Sequence, residues 1–167
     1  NLVKINEKYF IFVEDCNIDS GKAEIKCFEI CKDKKSFKAI GCAIDEKYHI
    51  SFPFTFEFKN RLYMSVESSS NKSLNIYRNE GSPLDWEIAS QNKFDSKVPI
   101  DPVIFYLNNN WWIIFGDASS ENGNSDDGGI VTSRIMNESS NHSISDFETA
   151  GLKKPKSIKA DAVDKKT

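Results

Sequence analysis

The sequence predicts an all-β protein, a partial β-propeller of about three blades, each a four-stranded antiparallel sheet. Three observations predict it. Short runs rich in Phe, Ile, Val, Tyr and Trp alternate with polar turns, and no stretch keeps the three-and-four spacing of an amphipathic helix. The grammar of these runs recurs about every 50 residues along the chain. A carboxylate closes the densest run of each recurrence, a regularity that radially repeated blades explain and that a β-sandwich does not require.

The chain opens on Leu2, Val3 and Ile5, turns at Asn6-Glu7-Lys8, and continues into the dense run from Lys8 to Glu14. Ala23 to Ile30 supplies the next strand. A second unit starts around His49 to Phe54 and turns at Lys59-Asn60. It then runs densely from Arg61 to Glu67 and goes on through Ser73 to Arg78 to a weaker fourth run, Glu87 to Ser90. A third starts at Asp101-Pro102, turns at Asn108-Asn109-Asn110, runs from Trp111 to Asp117 and resumes from Gly129 to Ile135. The closing acids Glu14, Glu67 and Asp117 stand 53 and then 50 residues apart. Asn, Lys and Glu tolerate left-handed and tight-turn geometry, so each turn is expected to join an antiparallel hairpin. Closed propellers need four to eight blades, so three units fall short of a ring. With no initiator Met and no signal-type segment, the chain is expected to be cut from something larger, its ring completed by further blades or by association of copies.

A length of 167 residues suits one core, and 39% hydrophobic content with 12 Phe supplies it. Lys and Arg number 22 against 25 Asp and Glu, a net charge of -3, which argues against nucleic acid as a partner. The longest apolar runs, such as Trp111 to Phe115, are far below the roughly 20 residues of a membrane helix, so no membrane span is expected. The propeller is assigned to residues 1–150. The segment from Gly151 to Thr167, with six Lys and no aromatic residue, is expected to be a disordered tail.

In a blade, the start of the first strand lies beside the end of the second. That places His49, Ser51, Phe52 and Pro53 next to Glu67, and Asp101 and Pro102 next to Asp117. Innermost strands crowd around the axis, so Glu14, Glu67, Asp101 and Asp117 are expected to gather as an acidic cluster at a funnel mouth. Paired carboxylates of this kind suit glycosidic chemistry, one protonated and donating to the leaving oxygen, the other ionised. Glu67 and Asp101 are the catalytic candidates. Glu14, His49, Phe52, Trp111 and Asp117 are the candidates for substrate binding, with Phe52, Phe54, Tyr63 and Trp111 packing on sugar faces and His49 orienting a carboxylate or hydroxyl. The alternative stays open: acids at strand ends also cap loops by accepting backbone N–H groups.

Other motifs point to less. Cys16, Cys27, Cys31 and Cys42 contain one close pair, where a structural zinc site wants two, and small buried side chains explain them. The Asp117 to Gly129 stretch lacks the alternating acid spacing of a calcium loop. Neither a metal nor a cofactor is expected. Asn71-Lys-Ser73, Asn137-Glu-Ser139 and Asn141-His-Ser143 fit the glycosylation pattern, which Asn- and Ser-rich sequence also produces by chance.

One ordered series of residues carries a resemblance. His49-Ile-Ser-Phe-Pro-Phe-Thr-Phe-Glu57, Leu62-Tyr-Met-Ser-Val-Glu-Ser-Ser69, Asn75-Ile-Tyr-Arg78, Pro83-Leu-Asp-Trp86, Asp101-Pro102 and Trp111-Trp-Ile-Ile-Phe-Gly116 resemble the N-terminal propeller domain of glucosamine inositolphosphorylceramide transferases and their bacterial relatives. The resemblance runs from about Lys8 to Ser133. It implies a five-bladed fold similar to glycoside hydrolase families 43, 32 and 68, with a separate C-terminal glycosyltransferase domain that makes the sugar bond. The related hydrolases carry an Asp at the start of several inner strands and a Glu as proton donor. Asp101, followed by Pro102, matches such an Asp, and Glu67 stands where the acid would. The second unit departs, with Phe52 before Pro53, and the corresponding start in the first unit precedes Asn1. The function this implies is binding of a glycan or glycolipid alongside the transferase domain. The alternatives are family 43-like glycoside hydrolysis by Glu67 and Asp101 with a base from another blade, or a non-catalytic interaction scaffold. No compartment can be read from the sequence.

Overall fold

The computed structural model describes residues 2–31, 35–93, 98–107, 110–119 and 131–137, and every element among them is a β-strand. The first sheet holds β1 (Leu2–Ile5), β2 (Lys8–Cys16), β3 (Ala23–Ile30) and β4 (Phe37–Ile44). The second holds β5 (Ser51–Phe58), β6 (Arg61–Ser68), β7 (Ser73–Asn79) and β8 (Trp86–Lys93). The third holds β9 (Pro99–Leu107), β10 (Asn110–Asp117) and β11 (Val131–Asn137). Each sheet is a meander of sequential antiparallel strands. This is a partial β-propeller of four-stranded blades, as the repeat predicts. The outer strand of the third blade, the loop ending at Asp126-Asp127-Gly128-Gly129 and the Lys-rich tail lie outside the described residues.

Two-residue hairpins open the first two blades, and the residues at their tips show why Asn, Glu and Lys stand there. Asn6 and Glu7 have φ of 48° and 63°, and Lys59 and Asn60 have 48° and 59°. Left-handed geometry at both central residues matches the twist of the flanking strands, which right-handed turns would splay.

The sheets pack face to face along two seams. Ile5, Phe10, Phe12, Ile25, Cys27 and Ile44 of the first sheet meet Met64, Val66 and Tyr77 of the second. Tyr63, Leu74 and Ile76 on the opposite face of the second sheet meet Ile104, Trp111, Ile113 and Phe115 of the third. The middle sheet is therefore covered on both sides. Tyr63 to Ser68 are buried without a break, whereas β3, covered on one side, alternates buried and half-buried positions. Phe12 meets Trp86 edge to face across the first seam, ring centroids 5.3 Å apart. Gly41, at φ 151°, lies where the 80–85 turn of the second blade comes closest: a Cβ there would sit 3.1 Å from Leu84 Cδ1.

Strand pairing fixes the repeat. Ser51 opposes Glu67 and Phe58 opposes Arg61 in the second blade; Ile100 opposes Gly116 and Leu107 opposes Asn110 in the third, a shift of 49 residues at every position. Ile5 opposes Lys8 in the first blade, 53 residues before Phe58 and Arg61. Glu14 and Glu67 are thus true counterparts, but the counterpart of Glu67 in the third blade is Gly116. Aligning Glu67 with Asp117 is wrong by one residue.

Truncating Phe12 to Ala is expected to destabilise the protein by about 3–5 kcal/mol, since the ring is buried in the first seam. Denaturant unfolding checks it; a loss below about 1 kcal/mol would mean that the seam is loosely packed.

Candidate functional site

The inner strands of the second and third blades begin with the same irregularity. Between the pairs Ser51–Glu67 and Phe54–Ser65, and again between Ile100–Gly116 and Val103–Ile114, β5 and β9 spend one residue more than their partners. Proline causes it: Pro53 and Pro102 have no N–H to give the ladder, so the strand bulges there. The residue before each proline is left-handed, Phe52 at φ 49° and Asp101 at φ 51°. For a side chain bearing a Cβ this costs roughly 1–2 kcal/mol. The bulge sets Phe52 and Asp101 at equivalent places in consecutive blades, Phe52 half-buried and Asp101 exposed.

Glu67, near the end of β6, projects toward the third blade and is 93% buried, with 7% of its surface exposed. Ser51 Oγ donates to its Oε1 at 3.1 Å. The backbone N–H of Asp101 donates to its Oε2 across the seam. Burial pushes the carboxyl up to about 7; the two hydrogen bonds oppose the shift, and the charges of Asp101 and Glu14 add to it. A carboxyl whose titration is raised toward neutral pH therefore sits against the main chain of Asp101, a residue that is itself exposed.

Glu14 occupies the corresponding place one seam earlier, with a different partner. His49 Nε2 lies 3.5 Å from Glu14 Oε1. His49 Nδ1 is 2.9 Å from the carbonyl oxygen of Gly21, which can only accept, so Nδ1 carries a proton and Nε2 faces Glu14. Ser68 Oγ donates to the His49 carbonyl at 2.7 Å and ties this residue to the end of β6. Glu14, His49, Ser51, Glu67, Phe52 and Asp101 thus share one rim of the propeller, where strands β2 and β6 end and β5 and β9 begin.

Two of the sequence candidates differ: Asp117, opposite Pro99 at the start of β9, caps a loop, and Trp111 lies away from the rim. Asp117 Oδ1 accepts the N–H of Val98 at 3.1 Å and of Ser119 at 3.0 Å, the loop-capping role open to any strand-end acid. Its neighbour Gly116 holds the position of Glu67 and has no room for a side chain, because a Cβ there would lie 2.9 Å from Ile100 Cγ1. Trp111 lies at the opposite end of β10, buried among Phe56, Phe58 and Tyr106 at centroid distances of 5.6, 5.4 and 5.4 Å. Phe54 and Tyr63 pack in the second seam. Ser51 enters as the hydroxyl that engages Glu67, and strand pairing is the signal for it. The four cysteines are unpaired; burial pushes the Cys27 and Cys42 thiols up to about 11, which leaves both in the unreactive thiol form.

Residues 2–145 match the family described as glucosamine inositolphosphorylceramide transferase 1, N-terminal. Glucosamine inositolphosphorylceramide transferase 1 of rice (Oryza sativa subsp. indica and subsp. japonica) is 28% identical over 108 residues, 65% of this chain and 14% of that protein. The Arabidopsis thaliana protein of the same name is 40% identical over 53 residues, 32% of this chain and 7% of its own. The chain therefore spans a small part of these relatives. Among solved structures it is similar to a thermostable family-43 glycoside hydrolase, TM-score 0.60 at 13% identity, covering 80% of this chain and 49% of that one. It is also similar to the Bombyx mori GH32 β-fructofuranosidase BmSUC1, TM-score 0.55 at 18% identity, covering 70% and 28%. At such identities the likeness shows the fold.

Glu67 contributes to the pH dependence of stability. Its folded value of about 7 lies above the ordinary 4.5, so the folded protein holds the proton more tightly. The stabilisation is present below about 4.5 and is lost as pH rises through 7, on the order of 3 kcal/mol in total. Glu67→Gln should flatten this decline and unfold at higher denaturant than the parent near pH 8. Equal slopes for the two proteins between about pH 5 and pH 8 would show that Glu67 is not the titrating group.

Proposed function

Because this chain belongs to the family of glucosamine inositolphosphorylceramide transferase 1 N-terminal domains, we propose that it is a carbohydrate-binding propeller domain. It holds a glycan, or the sugar head of a glycolipid, on the rim formed by Glu67, Asp101, Phe52, His49 and Glu14, and serves a glycosyltransferase domain elsewhere in the full-length protein. The observation that carries this reading is the meeting of Glu67 and Asp101 across the second seam. It brings the Glu67 carboxyl of one blade against the main chain of Asp101 in the next and leaves Asp101 exposed. Carboxylates accept hydrogen bonds from sugar hydroxyls, and the half-buried Phe52 ring offers an apolar surface to the C–H face of a sugar. Asp117 and Trp111 fall outside the proposed site, since one is engaged by its own loop and the other packs at the far end of its strand.

One observation favours a second reading, glycoside hydrolysis. Glu67 retains a proton near neutral pH beside Asp101, the division of labour that such chemistry uses between acid and partner. Binding is preferred because the place equivalent to Asp101 in the second blade holds Phe52, and the place equivalent to Glu67 in the third holds Gly116, neither of which does acid–base work.

Asp101→Asn and Phe52→Ala should each weaken binding to a glycan identified on an array by about tenfold or more, with unfolding curves preserved. Asp117→Asn should leave affinity unchanged. Unaltered affinity in both rim variants would end the binding proposal. Release of sugar from aryl glycosides by the full-length protein, abolished by Glu67→Gln, would replace it with hydrolysis.

A further inference from the structure

We propose that Glu67 is a proton-operated latch between the second and third blades: protonated, it holds the start of β9 closed against β6, and ionised, it lets that start go. This goes beyond glycan binding and holds whether or not a sugar occupies the rim.

The latch is built from three contacts. Glu67 reaches from β6 across the seam to the N–H of Asp101. Pro99 and Pro102 flank that amide and have no N–H of their own, so the first four residues of β9 carry only two backbone donors, at Ile100 and Asp101. One of the two is spent on Glu67. On its own sheet Glu67 Oε1 meets Ser51 Oγ at 3.1 Å. A serine hydroxyl donates or accepts by rotating about one bond. It donates to the ionised carboxylate and accepts from the protonated one, so the proton comes and goes without displacing a heavy atom while the seam is shut.

What differs between the two states is charge in a buried place. Among the described residues, the charges acting on Glu67 are Asp101 on β9 and Glu14 on β2, both negative. From β5 it meets the neutral Ser51, and on β7 it pairs with Leu74, which carries no charge. His49 is engaged with Glu14 at 3.5 Å. Both hydrogen bonds favour the ionised form, but burial outweighs them, so an ionised Glu67 gains by moving out to water, and the contact across the seam yields because Ser51 travels with the same sheet. The displacement of its titration to about 7 sets the switch at neutral pH.

Amide hydrogen exchange tests the latch. The protection factor of the Asp101 amide, the measured rate against the intrinsic rate at each pH, should fall on going from about pH 5.5 to pH 8.5. Over that interval the ceiling is roughly 30-fold, because about tenfold of the roughly 300-fold equivalent to a displacement from 4.5 to about 7 is already spent below pH 5.5. The amide of Ile76, in the core of β7, should not follow it. In Glu67→Gln, whose side-chain carbonyl still accepts from Asp101, protection should be independent of pH. Ser51→Ala removes a donor to the ionised form and should move the midpoint of the fall to higher pH. Constant protection at Asp101 in the parent, a parallel loss at Ile76, the same fall in Glu67→Gln, or an unmoved midpoint in Ser51→Ala would each overturn the latch.

Discussion

The structure depends on burying the second sheet on both faces. A sheet in water exposes one side and can alternate apolar with polar residues, but a sheet with neighbours on either side has no wet face to fill. Met64 and Val66 enter the first seam while Tyr63 enters the second, so one strand feeds two cores by the simple alternation of its side chains. The same alternation decides the fate of the last residues of β6. Continuing the parity of Tyr63 and Ser65, Glu67 is carried into the second seam, and a carboxyl is buried because the hydrocarbon before it must be. Its altered acidity is a consequence of the packing that holds the blades together.

At the rim the constraint becomes one of backbone chemistry. A proline near the start of an inner strand cannot continue the ladder, so the strand inserts a residue and turns the one before the proline into left-handed geometry. This happens at Phe52 and at Asp101, 49 residues apart, with the same pairing on either side. The fold thus repeats a device for presenting a side chain and leaves the side chain free to change. One blade presents an aromatic ring and the next a carboxylate, a separation between what a fold supplies and what a site does.

Much of the fold is legible in the sequence, for physical reasons. Ala23–Ile30 is recovered to the residue, because period-two burial of β3 leaves its mark in Ala23, Ile25 and Cys27. The hairpin tips Asn6-Glu7 and Lys59-Asn60 declare themselves by residues that bear positive φ. The neighbourhood of Ser51, Phe52 and Glu67 follows from antiparallel pairing alone. The third acid misleads because charge is what matches it to the other two. Pairing puts Gly116 in register with Glu67, and a glycine leaves no trace in an alignment of carboxylates. Trp111 misleads for another reason. In the Trp111 to Phe115 run every residue is apolar, so nothing in its composition says which end lies at the rim. Pairing opposite Tyr106 of β9 sets Trp111 at the far end, beneath Phe56 and Phe58.

Glu14 and Glu67 show how far equal residues at equal places diverge. Both close the second strand of a blade, and both point toward the next. Glu14 keeps 38% of its side chain exposed and faces the ring of His49, whereas Glu67 is covered and hydrogen-bonded by a backbone amide. The difference lies in the residue that the next blade brings to each seam. His49 precedes the bulge of the second blade, and its counterpart before the bulge of the third, 49 residues on, is Val98. Where the first seam offers an imidazole that can carry charge, the second offers a main-chain N–H, already given to Asp117. Among the described residues Glu67 is left with a serine hydroxyl and the amide of Asp101, neither of which neutralises a negative charge. A carboxyl covered in a seam keeps its proton to higher pH than usual, and at Glu67 burial is the larger cause, with the negative charges of Asp101 and Glu14 adding to it.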